Sequence, residues 1–287
     1  KPGVYHSNKW AKGMPKDVAT YRKDASVPAE GYRLSIATNG ITITSSDDAG
    51  AFYALQTLRQ MAEAPEWEWT FECAEIEDAP AYRWRGVHLD ESRHFFGKEA
   101  VKKILDLMAY HKLNVFHWHL TDNRGWRLAI DAYPKLMKEG ATAEVGPLPF
   151  NKWIRDVQEG GEYGPFFYTK DEVREILAYA KERFITVVPE IEIPGHSRAL
   201  LCAYPELACF RDGDAGAPTN LADNVVCVGN PATFAFFEKV LDETCELFPS
   251  RVIHIGGDEV RMQNWQACPK GRKLMKEKGL KTLQELQ

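Results

Sequence analysis

Residues 32 to 45 alternate apolar and polar positions. Tyr32, Leu34 and Ile36 fall on one face of a strand, Ile41 and Ile43 on one face of a second, and Asn39-Gly40 between them is a turn signal. The period then lengthens. Phe52, Leu55, Leu58 and Met61 recur at helical spacing behind Asp47 or Asp48, either of which can cap the first turn. Trp67 to Ile76 reads as a further strand. These elements predict a small α+β domain over residues 1–80.

After Pro80 the grammar changes to strand, helix, strand, helix. Arg85 to Asp90, Val115 to Leu120, Thr186 to Ile191 and Val252 to Gly257 are short apolar runs. Between them lie helical patterns. The first carries Val101, Ile104, Leu105 and Met108; the second buries Val173, Ile176, Leu177 and Ala180 behind the capping box Thr169-Lys170-Asp171-Glu172. The third starts at Asn230-Pro231 and carries Phe234, Phe237, Val240 and Leu241. Leu274 and Met275 belong to a last helical stretch. Four such repeats predict parallel α/β architecture. The long segments 121–168 and 192–230 both follow strands, where a (β/α)8 barrel builds its active site. A doubly wound nucleotide-binding sheet calls for GxGxxG after its first strand, and none occurs. Residues 81–287 are therefore expected to form the first half of a (β/α)8 TIM barrel. Eight units are needed and four are present, so the chain reads as cut. A half barrel exposes an apolar interior and two open edges; such a chain is expected to be unstable alone or paired with a second polypeptide or a missing C-terminal half.

Composition narrows the function classes. Charged residues are 27% of the 287 and the net charge is −5, with basic residues scattered rather than gathered on a face, so no nucleic-acid footprint is predicted. No run approaches the length of a membrane span. The chain opens Lys1-Pro2-Gly3, as a processed chain would, with no signal peptide. Six cysteines are dispersed without a CxxC pair, which makes zinc and thioredoxin-like readings weak. Cys202 and Cys209 are close enough in sequence to bridge, and the redox compartment stays open.

Each predicted strand ends in polar residues that a packed core does not select. They are Asp90-Glu91-Ser92-Arg93-His94, Thr121-Asp122-Asn123-Arg124-Gly125-Trp126, Pro194-Gly195-His196 and Gly256-Gly257-Asp258-Glu259. Adjacent strand side chains point to opposite faces, so Asp258 and Glu259 can share a pocket only where the chain leaves the strand. Gly256 and Gly257 permit that bend.

These motifs resemble glycoside hydrolase family 20, the β-N-acetylhexosaminidases. His254-Ile255-Gly256-Gly257-Asp258-Glu259 is one of four motifs that together carry the resemblance. Arg85-Gly86-Val87-His88-Leu89-Asp90-Glu91-Ser92-Arg93-His94 agrees, as do His117-Trp118-His119-Leu120-Thr121-Asp122 with Gly125-Trp126-Arg127 and Val188-Pro189-Glu190-Ile191-Glu192-Ile193-Pro194-Gly195-His196, in order and approximate spacing. The resemblance implies retaining, exo-acting hydrolysis of terminal N-acetylglucosamine or N-acetylgalactosamine with the substrate's own acetamido oxygen as nucleophile, an exception to the two-carboxylate scheme. It implies Glu259 as acid/base, with a pKa raised by burial and a neighbouring carboxylate, and Asp258 as acceptor of the acetamido N–H. Arg93 matches the arginine that grips sugar hydroxyls, and Asp122 and His196 a pair supporting Glu259. Glu190 reads as a buried structural carboxylate. No cofactor or metal is implied, and a secreted or periplasmic location is expected because such glycans lie outside the cell.

Arg124 departs from the family pattern, which has glutamine there. The family's acetamido-binding tyrosine, its pocket tryptophans and a further acidic sugar ligand come from later strands and have no counterpart to assign. Three other readings compete. A metal-dependent hydrolase would use His117 and His119 with His254 and Asp258. An ordinary two-carboxylate glycosidase would pair Glu190 with Glu259. A truncated chain would bind sugar without turning it over.

Overall fold

The computed structural model describes residues 4–6, 19–62, 70–144, 162–211, 214 and 225–287. Part of the predicted strand at Trp67 and parts of both long loops lie outside them. The chain divides into two compact units, one of Lys1–Val87 with Lys103–Val115 and Ala180–Ile185, the other of His88–Lys102, Phe116–Tyr179 and Thr186–Gln287.

In the first unit, β1 (Val4–His6), β2 (Ala19–Lys23), β3 (Tyr32–Ala37) and β4 (Gly40–Ser45) precede α1 (Asp48–Met61), β5 (Thr70–Glu72) and β6 (Ala74–Asp78). The predicted hairpin is present: β3 and β4 pair antiparallel from Tyr32–Ser45 to Ala37–Gly40, which leaves Thr38 and Asn39 as the loop. The sheet runs β2-β4-β3-β6, while β1 pairs with β5. Alternation puts Tyr32, Leu34, Ile36, Ile41 and Ile43 on one face, packed with Tyr53, Ala54 and Leu58 of α1. Asp47 caps that helix through its Oδ1, which accepts from the Gly50 amide at 2.8 Å. Two expectations are corrected. Leu55 is exposed, because Tyr53 and Ala54 take the buried positions of α1. The run ending at Ile76 breaks at Cys73 into β5 and β6, which pair with different strands.

The βα repeat follows: β7 (Gly86–Asp90), α2 (Lys98–Tyr110), β8 (Val115–His119), the short β9 (Thr121–Asp122) and β10 (Gly125–Trp126), β11 (Ala143–Glu144), β12 (Glu162–Tyr163), α3 (Lys170–Lys181), β13 (Thr186–Glu190), α4 (Arg198–Ala203), α5 (Pro231–Leu247), α6 (Gln263–Ala267) and α7 (Pro269–Lys278). The sheet order is β7-β8-β13. Backbone bonds join Asn114 and Val115 to Arg85 at one end and Glu91 to His119 at the other, so β7 and β8 run the same way. The predicted fourth strand is a single parallel bridge, His254 to Glu190, flanked by bonds from Ile191 to His254 and Ile193 to Ile255. Val252 and Ile255 are exposed, because among the described residues this segment has a ladder neighbour on one side only.

The helix caps follow the sequence signals. Thr169 Oγ1 and the Glu172 carboxylate reciprocate across the first turn of α3, and Asn230 caps α5 with Pro231 at its first position. In α5, Phe236 rather than Phe234 is buried. Leu274 and Met275 lie in α7 as expected, and the short α6 precedes it. No helix among the described residues is long and apolar enough to cross a membrane.

The loops after β7 and β8 are tied by one side chain. Arg127 is 0% exposed. Its Nε donates to the Glu91 carbonyl, Nη1 to the carbonyls of Ala141 and Phe166, and Nη2 to those of Ser92 and Arg124, at 2.8–3.2 Å. All five guanidinium donors are used. Burial pulls its pKa down to about 10, which leaves it charged at neutral pH. Gly125 is the only residue that fits beneath it: a Cβ there would stand 2.0 Å from the guanidinium carbon. Arg127→Met should orphan the buried carbonyls of Glu91 and Ser92, while that of Ala141 keeps its bond from the Phe166 amide, and cost roughly 2–5 kcal/mol at about 1–3 kcal/mol for each unsatisfied group. Arg127→Lys should rescue little, since an ammonium cannot reproduce the fork. Urea unfolding midpoints measure this; a variant within about 1 kcal/mol of the parent would contradict the assignment.

Candidate active site

Strand ends place the charged groups. Glu190, the last residue of β13, is buried and ringed by imidazoles. Its carboxylate lies 2.5 Å from His119 Nδ1 and 2.7 Å from His117 Nε2 on β8, and 2.8 Å from His254 Nδ1 on the next segment. Burial would push this carboxyl up, but the imidazoles outweigh it and hold the pKa well below the usual range. The sequence expectation of a structural buried carboxylate describes this contact set. The same contacts engage the histidines that the metal-hydrolase reading would use.

A second network begins one turn outward. Asp122, on β9, is almost fully buried. Its Oδ2 receives Arg93 Nη2 at 2.6 Å and lies 3.1 Å from His119 Nε2. Its Oδ1 lies 3.4 Å from His196 Nδ1. Arg93 also pairs with Asp90 at 2.8 Å. Burial alone would raise the Asp122 pKa; the bonds from His119 and His196 and the Arg93 charge take it down to about 2. At His119 burial likewise opposes the charge, and the two carboxylates win, raising it to about 10. His196 is raised chiefly by its contact with Asp122.

The far nitrogen of His196 reaches the acid pair. Nε2 lies 3.6 Å from Asp258 Oδ2 and 3.6 Å from Glu259 Oε2. All five residues singled out in the sequence, Arg93, Asp122, His196, Asp258 and Glu259, therefore belong to one contact chain. The backbone leaves the strand as the glycines predict, with positive φ at Gly256 (67°) and Gly257 (99°). Glu259 (49°) and His196 (46°) are also left-handed, a strained conformation for residues with a side chain. One expectation is corrected. Glu259 is not buried: its side chain is 79% exposed and that of Asp258 68%. The strand carrying them has neighbours on one side only, so nothing among the described residues covers the pair. The two-carboxylate reading pairs Glu190 with Glu259, but Glu190 is enclosed by histidines while Glu259 faces His196 and solvent.

Sequence reasoning assigned no role to Glu192. It is buried beside the acid pair, and an added Cβ on Gly256 would lie 1.8 Å from its Oε2. The Gly257 amide donates to that oxygen at 3.4 Å. Burial raises its pKa to about 7; the His196 charge opposes this, while Glu190, Asp258 and Asp122 add to it. Glu91, buried against the Phe96 amide and the Tyr168 hydroxyl, is also raised to about 7 by burial. The signal for Glu192 was legible: two carboxylates, Glu190 and Glu192, sit at alternate positions of an apolar strand end and so share a face.

The family profile described as Glycosyl hydrolase family 20, catalytic domain, matches residues 82–287, and that described as Glycosyl hydrolase family 20, domain 2, matches residues 5–79. A β-hexosaminidase of Porphyromonas gingivalis is 42% identical over 92% of this chain and 34% of its own length. One of Vibrio furnissii is 37% identical over 100% of this chain and 47% of its own. Among solved structures, a β-N-acetylhexosaminidase from Bacteroides fragilis superposes with a TM-score of 0.80 at 40% identity, covering 96% of this chain and 51% of that one. An exo β-N-acetylglucosaminidase from Vibrio harveyi, in complex with N-acetylglucosamine, gives 0.84 at 34% identity, covering 94% and 42%. Fold and strand-end chemistry define a partial (β/α)8 barrel behind an N-terminal domain, as in these neighbours. The chain belongs to glycosyl hydrolase family 20. It spans about half the length, or less, of the relatives it matches.

Two outcomes follow from this electrostatic layout. Asp122→Asn should lower the His196 pKa, read from the pH titration of its imidazole NMR signals; an unchanged value would separate His196 from Asp122. Glu192, raised from 4.5 to about 7, keeps its proton in the folded state when the unfolded chain has released it. Its contribution to stability is therefore fully present below pH 4.5 and lost as the pH rises through about 7. Glu192→Gln should flatten that segment of the stability–pH curve, and a curve of unchanged slope would refute the buried protonated carboxyl.

Proposed function

We propose that the whole protein is a retaining, exo-acting β-N-acetylhexosaminidase that removes terminal β-linked N-acetylglucosamine or N-acetylgalactosamine. The observation that carries this is the contact chain from Asp122 through His196 to Glu259, with Asp258 beside it. In this reading the acetamido oxygen attacks the anomeric carbon from within the sugar. Glu259 gives its proton to the leaving glycosidic oxygen, and an oxazolinium intermediate forms. Glu259, now a carboxylate, then takes a proton from the water that opens the ring, which retains the configuration. Asp258 accepts the acetamido N–H. This orients the nucleophile and stabilises the positive charge that develops as the ring closes. His196, itself held by Asp122, positions the Glu259 carboxyl, and Arg93 offers its exposed donors to sugar hydroxyls.

The boundary near Ala79-Pro80 is proposed as the division between an N-terminal domain of residues 1–80 and the barrel portion of 81–287; the two family profiles meet there. The remaining barrel strands come from further chain or a second polypeptide, and the greater length of the relatives supports this. A secreted or periplasmic location suits a glycan substrate.

The test uses the full-length protein and an aryl β-N-acetylglucosaminide. Glu259→Gln should lower kcat by about 10²–10⁴-fold, the usual scale of a lost general acid. The matching β-glucoside, which lacks the acetamido nucleophile, should be turned over very poorly by the parent. A Gln variant at the parent rate, or equal turnover of the glucoside, would overturn the proposal.

A further inference from the structure

Three cysteines far apart in the sequence meet in the second unit. The thiol sulfurs of Cys209, Cys227 and Cys268 all lie within 4.8 Å of one another. Cys227 and Cys268 are buried, with their sulfurs 3.7 Å apart. The three segments that carry them are held together by hydrogen bonds and close backbone approach. Ala208 and Val226 form an antiparallel bridge that sets Cys209 beside Cys227. The Trp265 indole donates to the Val226 carbonyl at 3.0 Å, and the Cys268 amide donates to Asn264 at 2.9 Å. The turn through Gly229, just after Cys227, lies directly against the backbone of Lys270 and Gly271, just after Cys268.

The spacing is that of a metal site rather than of a disulfide. Tetrahedral zinc with Zn–S near 2.3 Å puts its sulfurs about 3.8 Å apart. A disulfide would need about 2.0 Å and would leave the third sulfur without a partner. All three thiols are free in the structure. Phe210 packs with the three cysteines in one cluster, in which Cys227 and Cys268 are buried and Cys209 is half-buried.

We propose that Cys209, Cys227 and Cys268 bind a thiophilic divalent cation, zinc, with a water as fourth ligand. On binding, each thiol gives its proton to solvent and forms one metal–sulfur bond, with no change of oxidation state. The ion is structural. Cys209 ends the segment that leads away from His196, and Cys268 ends the one that leads away from Glu259. A metal bridge between them pins together the two segments bearing the imidazole and the exposed acid, which no continuous strand ladder secures. The site is independent of which glycoside the protein cleaves.

Elemental analysis of the full-length protein, purified without chelator and desalted, should find about one zinc per chain, as for a thiolate site. Cys227→Ser should lose most of it. Replacing the metal with cobalt(II) in the parent protein should give sulfur-to-cobalt charge transfer in the near ultraviolet and the visible bands of a tetrahedral thiolate site. That readout needs no variant and stands even if Cys227→Ser fails to fold. Zinc release should accompany modification of three thiols by a mercurial reagent. A protein without stoichiometric metal and without the cobalt spectrum, or mass spectrometry showing a disulfide among the three, would overturn the proposal.

Discussion

The buried guanidinium of Arg127 is the constraint on which the site depends. It takes up five donors' worth of backbone carbonyls from the loops after β7 and β8 and from the chain near Ala141 and Phe166. Those carbonyls belong to irregular segments; that of Ala141 also accepts from the Phe166 amide, and burying those of Glu91 and Ser92 unpaired would be costly. With Arg127 in place the loops can be irregular and still dry. Arg93 follows directly from the Glu91-Ser92 carbonyls that it binds, and Asp122 precedes it by a few residues. Arg93 and Asp122 are thus set by a residue that itself has no access to solvent.

Charge balance is the second layer. Glu190 and Asp122 are two buried carboxylates held ionised by His117, His119, His254, Arg93 and His196. Glu192, close by, has no cation to itself and keeps its proton to higher pH. One cluster therefore separates its carboxyls by environment rather than by residue type. His119 links the two ionised ones, touching Glu190 with one nitrogen and Asp122 with the other. The chain of contacts then runs outward through His196 to Asp258 and Glu259, from fully buried to mostly exposed. Left-handed backbone at His196, Gly256, Gly257 and Glu259 marks where the chain turns off the strands to make that exit.

The sequence by itself determined the local elements and the chemistry at the strand ends. The hairpin of β3 and β4, the Asp47, Thr169 and Asn230 caps and the three central strands rest on neighbours a few residues apart, and short-range patterns carry that information. The five candidate site residues were legible for the same reason: each sits just past an apolar run, where a polar cluster has no packing purpose. Only the tertiary structure decided which helix face is covered, and so exposed Leu55 and Phe234 where periodicity alone placed them inward. Only it reduced the fourth strand to one bridge and left Glu259 open, since burial depends on what packs above. It also converted a quartet of facts that sequence kept apart into contacts: Arg127 under Gly125, Glu192 under Gly256, Glu190 among histidines, and three cysteines gathered from positions 209, 227 and 268. The absence of CxxC says nothing about sulfurs brought together by a fold, because ligand geometry is set by distance in space and not by spacing along the chain.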